Sequence, residues 1–437
     1  MNQPALARRL GPFDATMIVM GGIIGSGIFI NPYVVARQVG SAPLIILAWA
    51  AGGVVALLGA FVYAELATLR PEAGGQYAYL RDAYHPSIAF LYGWALLLVV
   101  QSGGMAAVAV TFARYAIELT GMGMADWVLA SVTLLVLTAI NVTGVRSGSN
   151  TQTVLMLLKL AAIGALIVAG LFFAGRSAPV AAPSSATSLI GFFAALTPVM
   201  FAYGGWQTAS FIAAELKDPR RDLARGLIMG VTAVVAIYLA VNLVSLRVLG
   251  SGGLAATTTP ASTVMRTLFG EPGARLIAIG IAVSTLGFLA QGMLTAPRVY
   301  YAMAADGLFF RAVGSIHPVT RVPHVAIALQ GVVAVIIAAS GTYEQILAYV
   351  VATDFIFFGL TGAALFIFRR RSVPAEGFRT PGHPVTTMLF TVACWVVVGA
   401  TVIRSPRDSI IGLLILLSGI VVYPMWNSRR LGSHLER

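Results

Sequence analysis

The chain has 437 residues, of which 58% are hydrophobic and only 10% are charged. A soluble domain carries about a quarter charged residues, so no sizeable water-soluble domain is expected. The net charge of +12 does not point to nucleic acid, because the arginines sit at the ends of apolar runs and form no stripe.

Those apolar runs recur along nearly the whole chain, each long enough to cross about 30 Å of hydrocarbon. Only helices or closed barrels satisfy their backbone groups in lipid. The runs are continuous and do not alternate at period two, so the expected fold is an all-α polytopic membrane protein. Polar breaks divide it into twelve transmembrane helices, near 13–37, 43–68, 86–118, 126–143, 152–175, 190–214, 226–249, 273–303, 323–340, 344–368, 383–403 and 409–427. An even number places both termini on one side. With that side cytoplasmic, nineteen of the 28 basic residues lie at inner ends and loops and eight lie outside, in line with the positive-inside rule. The expectation is a single transmembrane domain, 1–437, in a cell inner (plasma) membrane, with both termini cytoplasmic. The first apolar segment has no small-residue cleavage site, so it reads as a span and not as a signal peptide.

The first span contains Gly21-Gly22-Ile23-Ile24-Gly25-Ser26-Gly27. Each of its four glycines costs a helix about 1 kcal/mol relative to alanine. The sixth span contains Pro198 and then Phe201-Ala202-Tyr203-Gly204-Gly205-Trp206, again unlike a simple span. Small residues in one membrane helix are commonly packing surfaces. Interruptions at corresponding places in two halves point instead to the binding site of a transporter. A break frees N–H groups at the start of the outer half-helix, which suit a carboxylate. It also leaves carbonyls, which suit an ammonium group, and the two together describe a zwitterionic amino acid.

Only two of the 28 basic residues are lysines, and Lys159 lies in the middle of the fifth span. It is about 12 Å from the inner boundary at 1.5 Å per residue, too deep for easy snorkelling, so a functional role is expected. Glu65, at an inner helix end, is expected to form an ion pair, with Arg70 nearby. Asp354, ten residues into the tenth span, suits a proton-carrying group or a hydrogen bond to a neighbouring helix equally. Phe201 and Trp206 are expected to form an aromatic lid. The five histidines cluster nowhere at ligand spacing, so neither a metal nor a cofactor is expected. No Walker-type loop is present, and no catalytic constellation that would make the chain an enzyme.

These motifs, with Tyr63-Ala64-Glu65-Leu66, the loop Pro71–Leu80 and Arg298–Gly307, resemble the amino acid–polyamine–organocation superfamily. Within it the likeness is to bacterial L-amino-acid transporters. The resemblance implies a LeuT-type fold with inverted repeats at about 13–175 and 190–368, extra helices at 383–427, and helices 1 and 6 broken. It also implies substrate contacts at Ile23, Gly25, Ser26, Gly27, Phe201, Ala202, Tyr203, Gly204 and Trp206. By the same likeness Lys159 stands where sodium-coupled relatives hold an ion, reaching the Gly21 or Ile24 carbonyls, with Tyr238, Ser284 or Thr285 as hydroxyl partners. Animal members are joined to a heavy chain through a cysteine in the loop after the third helix. Residues 119–126 contain none, so no disulfide-linked heavy chain is expected; the lipid bilayer and an amino acid substrate are the partners.

The reading is therefore a sodium-independent carrier of small neutral L-amino acids, working by exchange, with broader proton-coupled symport as the alternative. No acidic side chain is expected in the pocket, which disfavours cationic substrates.

Overall fold

The structure, a computed structural model, describes residues 10–71, 74–143, 149–173, 189–318, 322–371 and 377–424. Arg8, Arg9, Arg146, Arg176, Arg321, Arg429, Arg430 and Arg437, which helped orient the chain, lie outside them, as do Glu72 and Ala73 of the loop motif. Every one of the twelve apolar segments contains helix, and no strand occurs among the described residues.

Pro12–Ile23 (α1) begins where the Gly11 N–H donates to the Asp14 carboxylate at 2.8 Å and Pro12 takes the first turn. Pro12 has no N–H to leave unpaired there. Gly27–Val39 (α2) follows at a bend of 42°. It stops at Gly40, whose φ of 68° caps it in the left-handed region that glycine favours. Next come Ala42–Leu69 (α3) and the short Gln76–Ala83 (α4). Pro86–Ala95 (α5) and Gln101–Thr120 (α6) form one rod joined by a π-helical turn, Leu96–Val100. Asp126–Val142 (α7) and Ser149–Phe172 (α8) complete the first half.

The sixth apolar segment is Leu189–Tyr203 (α9), which stops at the glycine pair and continues as a 3₁₀ helix, Trp206–Glu215. Pro219–Ala256 (α10) and Pro260–Thr295 (α11) each turn at a left-handed glycine, Gly250 and Gly270. Pro297–Ala305 (α12), His324–Ser340 (α13), Tyr343–Arg370 (α14), Val385–Arg404 (α15) and Pro406–Val422 (α16) follow.

Among the described residues, six spans are long and apolar enough to cross a membrane, or seven if the bent α1–α2 pair counts as one. Among the shorter helices α7, α13 and α16 have 17 residues and α9 has 15. A helix of 17 residues extends about 26 Å at 1.5 Å per residue. Leu135, Leu157, Leu276, Ile336, Ile403 and Val421 are exposed, an outer surface suited to lipid and not to water. Inside, α10 lies along α1, α2 and α3; α11 lies along α6 and α8; and α2 lies along α9. That last pairing places the two interrupted segments side by side.

Candidate functional site: two facing breaks

The breaks approach each other more closely than side chains would permit. A Cβ on Gly27 would lie 2.5 Å from the Ala202 Cα, and one on Gly22 would lie 2.7 Å from the Gly205 oxygen. Gly205 itself has φ of 105° and rests against the Gly22 carbonyl. The glycines therefore serve packing and chain interruption at once.

At the first break, α1 ends at Ile23, with Ile24 as its cap, and α2 begins at Gly27. The N–H groups of Ser26, Gly27 and Ile28 have no acceptor among the described residues, whereas those of Phe29 and Ile30 return to the Ser26 oxygen. Three free donors at the positive end of a 13-residue helix form a seat for an anion. The second break satisfies its own backbone: the Gly205 N–H donates to Gln207 Oε1 at 3.0 Å, and the Thr208 hydroxyl donates to the Gly205 oxygen at 2.7 Å.

A cavity of about 790 Å³, part of it continuous with solvent, opens between the breaks. Of the residues expected to contact substrate, Ile23, Gly25, Ser26, Gly27, Phe201 and Gly204 line it. Ala202, Tyr203 and Trp206 do not. Trp206 turns away to stack on Phe358, with ring centres 4.9 Å apart, and meets the edge of Tyr63. Tyr203 packs its ring on Trp49 and Tyr238. Of the expected aromatic lid, only Phe201 faces the cavity.

Lys159 is buried, and its ammonium donates to the Ile24 carbonyl at 2.5 Å. Of the two carbonyls expected for it, Ile24 is the one engaged. Tyr238 does not pair with the lysine. Its hydroxyl lies 3.1 Å from the Ile23 oxygen and 3.2 Å from the Ala202 oxygen, joining the two breaks. Thr285 bonds back to Ile281 in its own helix. The Ser284 hydroxyl is buried without a hydrogen-bond partner among the described residues.

Glu65 forms the ion pair expected of it, with an arginine far away in sequence. The Glu65 carboxylate is held by both guanidinium arms of Arg369 at 2.8 Å each and by the Thr380 N–H at 2.7 Å. Arg70 pairs with Asp82 instead. At that same face Arg81 bridges Asp82 and Asp306. Burial opposes its charge, but bonds to Asp306 and Asp82 outweigh that and raise its pKa further. One expectation about the pocket is corrected, because it does contain an acid: Asp354 lines it. Gln101 and Gln291 are also in the wall. Amides within apolar spans are rare enough that their positions in the sequence could have signalled this.

A family model described as amino acid permease matches residues 10–424. The chain belongs to this amino acid permease family. Among similar proteins, the serine/threonine exchanger SteT of Bacillus subtilis is 31% identical, with 96% of each chain covered. The human b(0,+)-type amino acid transporter 1 is 29% identical over 96% of this chain and 88% of its own. The human large neutral amino acids transporter small subunit 2 is 28% identical over 96% of this chain and 80% of its own. The permease is thus a multi-pass membrane transporter of amino acids and not an enzyme.

Proposed function

We propose that this permease exchanges small neutral L-amino acids across a bacterial inner membrane, without sodium, by alternating access. The observation that carries the reading is the pair of facing breaks, with the free N–H groups of Ser26 and Gly27 at the cavity and that of Ile28 next to them in the chain. The substrate carboxylate takes those donors. Its ammonium takes the carbonyl edge at Ile23 and Phe201, while Tyr238 holds the Ile23 and Ala202 carbonyls in register. Lys159 supports sodium independence, since its fixed cation already occupies the Ile24 carbonyl. In this reading the chain has twelve spans, inverted repeats at about 13–175 and 190–368, and both termini in the cytoplasm.

The test is uptake of labelled serine or alanine into proteoliposomes that contain the same amino acid, with and without sodium. Exchange independent of sodium is expected; a sodium requirement would sink the assignment of Lys159. Proton symport is the second reading, favoured by the carboxylate of Asp354 in the cavity wall. Uptake driven by a pH gradient into vesicles containing no amino acid would establish it in place of obligate exchange.

A further inference from the structure

Lys217, Arg220, Arg221 and Arg225 gather where α10 begins, and all four are exposed. The acids beside them do little to offset that charge. Asp222 is buried and accepts the Asp218 N–H at 3.1 Å. Asp218 lies 3.8 Å from Arg221 in an exposed pair, a geometry worth little in water. Neither Arg220 nor Arg225 has a hydrogen-bond or ion-pair partner among the described residues.

This charge heads an outward-facing stripe. Arg221, Arg225, Met229, Thr232, Ala236 and Leu243 are all exposed, at spacings of three, four and seven residues, which places them on one face of the helix. The same face reaches Arg247, also exposed, about 33 Å beyond Arg225 at 1.5 Å per residue. That span matches the hydrocarbon layer of a bilayer, about 30 Å. The charge is lopsided, with a cluster of cations at one end of the stripe and Arg247 at the other. The Lys217 N–H also donates to the Leu10 oxygen at 2.9 Å, which brings the start of α1 alongside. There Phe13 is exposed, an apolar ring at the level where headgroups meet acyl chains.

We propose that this face of α10 binds an anionic phospholipid. Its phosphodiester sits on Arg221 and Arg225, with Lys217 and Arg220 beside them, and an acyl chain runs along Met229 to Leu243. Arginine suits that headgroup because its planar fork meets two phosphate oxygens at once. A site here bears on the breaks. Gly226 and Gly230 press α10 onto α1, where an added Cβ would lie 2.6 Å from the Ala15 Cβ and 2.7 Å from the Val19 Cγ1. Farther along α10, Tyr238 holds the Ile23 and Ala202 carbonyls. Lipid on α10 therefore steadies the helix that keeps both breaks in register, and exchange depends on it. That dependence rests on the reading of the chain as an amino acid exchanger; the binding does not.

The full chain is tested in phosphatidylcholine vesicles with and without phosphatidylglycerol, by exchange of labelled alanine. Phosphatidylglycerol is expected to raise the rate about fivefold, the ratio one arginine near an anionic surface supplies. Arg221→Gln with Arg225→Gln abolishes the rise. Arg404→Gln with Arg407→Gln, which removes the same charge from exposed positions elsewhere, preserves it. Equal rates of the wild type in both lipids overturn the dependence. A rise that survives in the Arg221/Arg225 variant, or one lost equally in the Arg404/Arg407 variant, overturns the site. Binding is read separately, as the rise in thermal midpoint when short-chain phosphatidylglycerol is added in detergent. That rise is expected in the wild type and not in Arg225→Gln alone. Inorganic phosphate producing the same rise would make this a free-anion site and overturn the lipid. A wild type that exchanges no amino acid in any vesicle defeats the carrier reading, while the thermal midpoint still decides the lipid site.

Discussion

The ammonium of Lys159 donates to the carbonyl of Ile24 at 2.5 Å, joining the middle of α8 to the residue that closes α1. The two residues are 135 positions apart. The bond meets a carbonyl that α1 can no longer pair within itself, because the helix stops there. Replacing Lys159 by methionine keeps much of the volume and removes the donor. The orphaned carbonyl then costs about 1–3 kcal/mol. Exchange should fall at least several-fold while the protein still elutes as a single species in detergent. Lys159→Arg should not restore the rate, because a planar guanidinium does not replace a compact ammonium. Full activity of the methionine variant would remove Lys159 from the mechanism.

Tyr238 offers a separate handle on the geometry of the breaks. Its ring packs on Trp49 and Tyr203, and only its hydroxyl reaches the Ile23 and Ala202 carbonyls. Tyr238→Phe should therefore leave the packing intact and lose about 1 kcal/mol of hydrogen bonding. The expected readout is a raised KM for amino acid uptake with little change in thermal stability. An unchanged KM would show that the breaks hold their register without this hydroxyl.

The glycines make opposite predictions according to their surroundings. Gly27→Ala drives a methyl to 2.5 Å from the Ala202 Cα, so the breaks must separate. Overpacking of this kind costs about 1–3 kcal/mol, and both thermal stability and exchange should drop. Gly104 also lines the cavity, but a Cβ there meets nothing within 4 Å. Gly104→Val should fold normally and shift competition profiles toward smaller amino acids. Equal effects at the two positions would contradict the geometry.

At the face where α3, α14 and residues 377–384 meet, the Glu65–Arg369 pair is bidentate, with the carboxylate side chain 3% exposed and the guanidinium side chain 31% exposed. Exposure of the arginine reduces what the pair contributes. Glu65→Gln should still lower stability by about 1–2 kcal/mol, because the Thr380 N–H and Arg369 both lose an anionic acceptor. A double-mutant cycle with Arg369→Gln, read by thermal unfolding in detergent, should give a coupling energy of the same sign. Strict additivity would mean the two act independently.

Local sequence carried the membrane class, the interrupted first and sixth segments, and the exceptional lysine. Each of these depends on what a short stretch of chain can or cannot do. Hydrophobic length decides whether a segment can span lipid, and a Gly25-Ser26-Gly27 run weakens a helix wherever it is placed. Relations between residues far apart in the chain came only with tertiary structure. The nearest arginine to Glu65 in sequence is Arg70, yet its partner is Arg369, brought alongside by α14. Trp206 follows the second break directly, yet the 3₁₀ turn sends its ring onto Phe358 and away from the cavity. Asp354 could have faced any neighbouring helix, and the packing of α14 decides that it faces the cavity. Periodicity specifies which residues share a helix face, but not which neighbour that face will meet. That choice is made by how the helices fit together, and it is what places an acid in a pocket that local reasoning had left neutral.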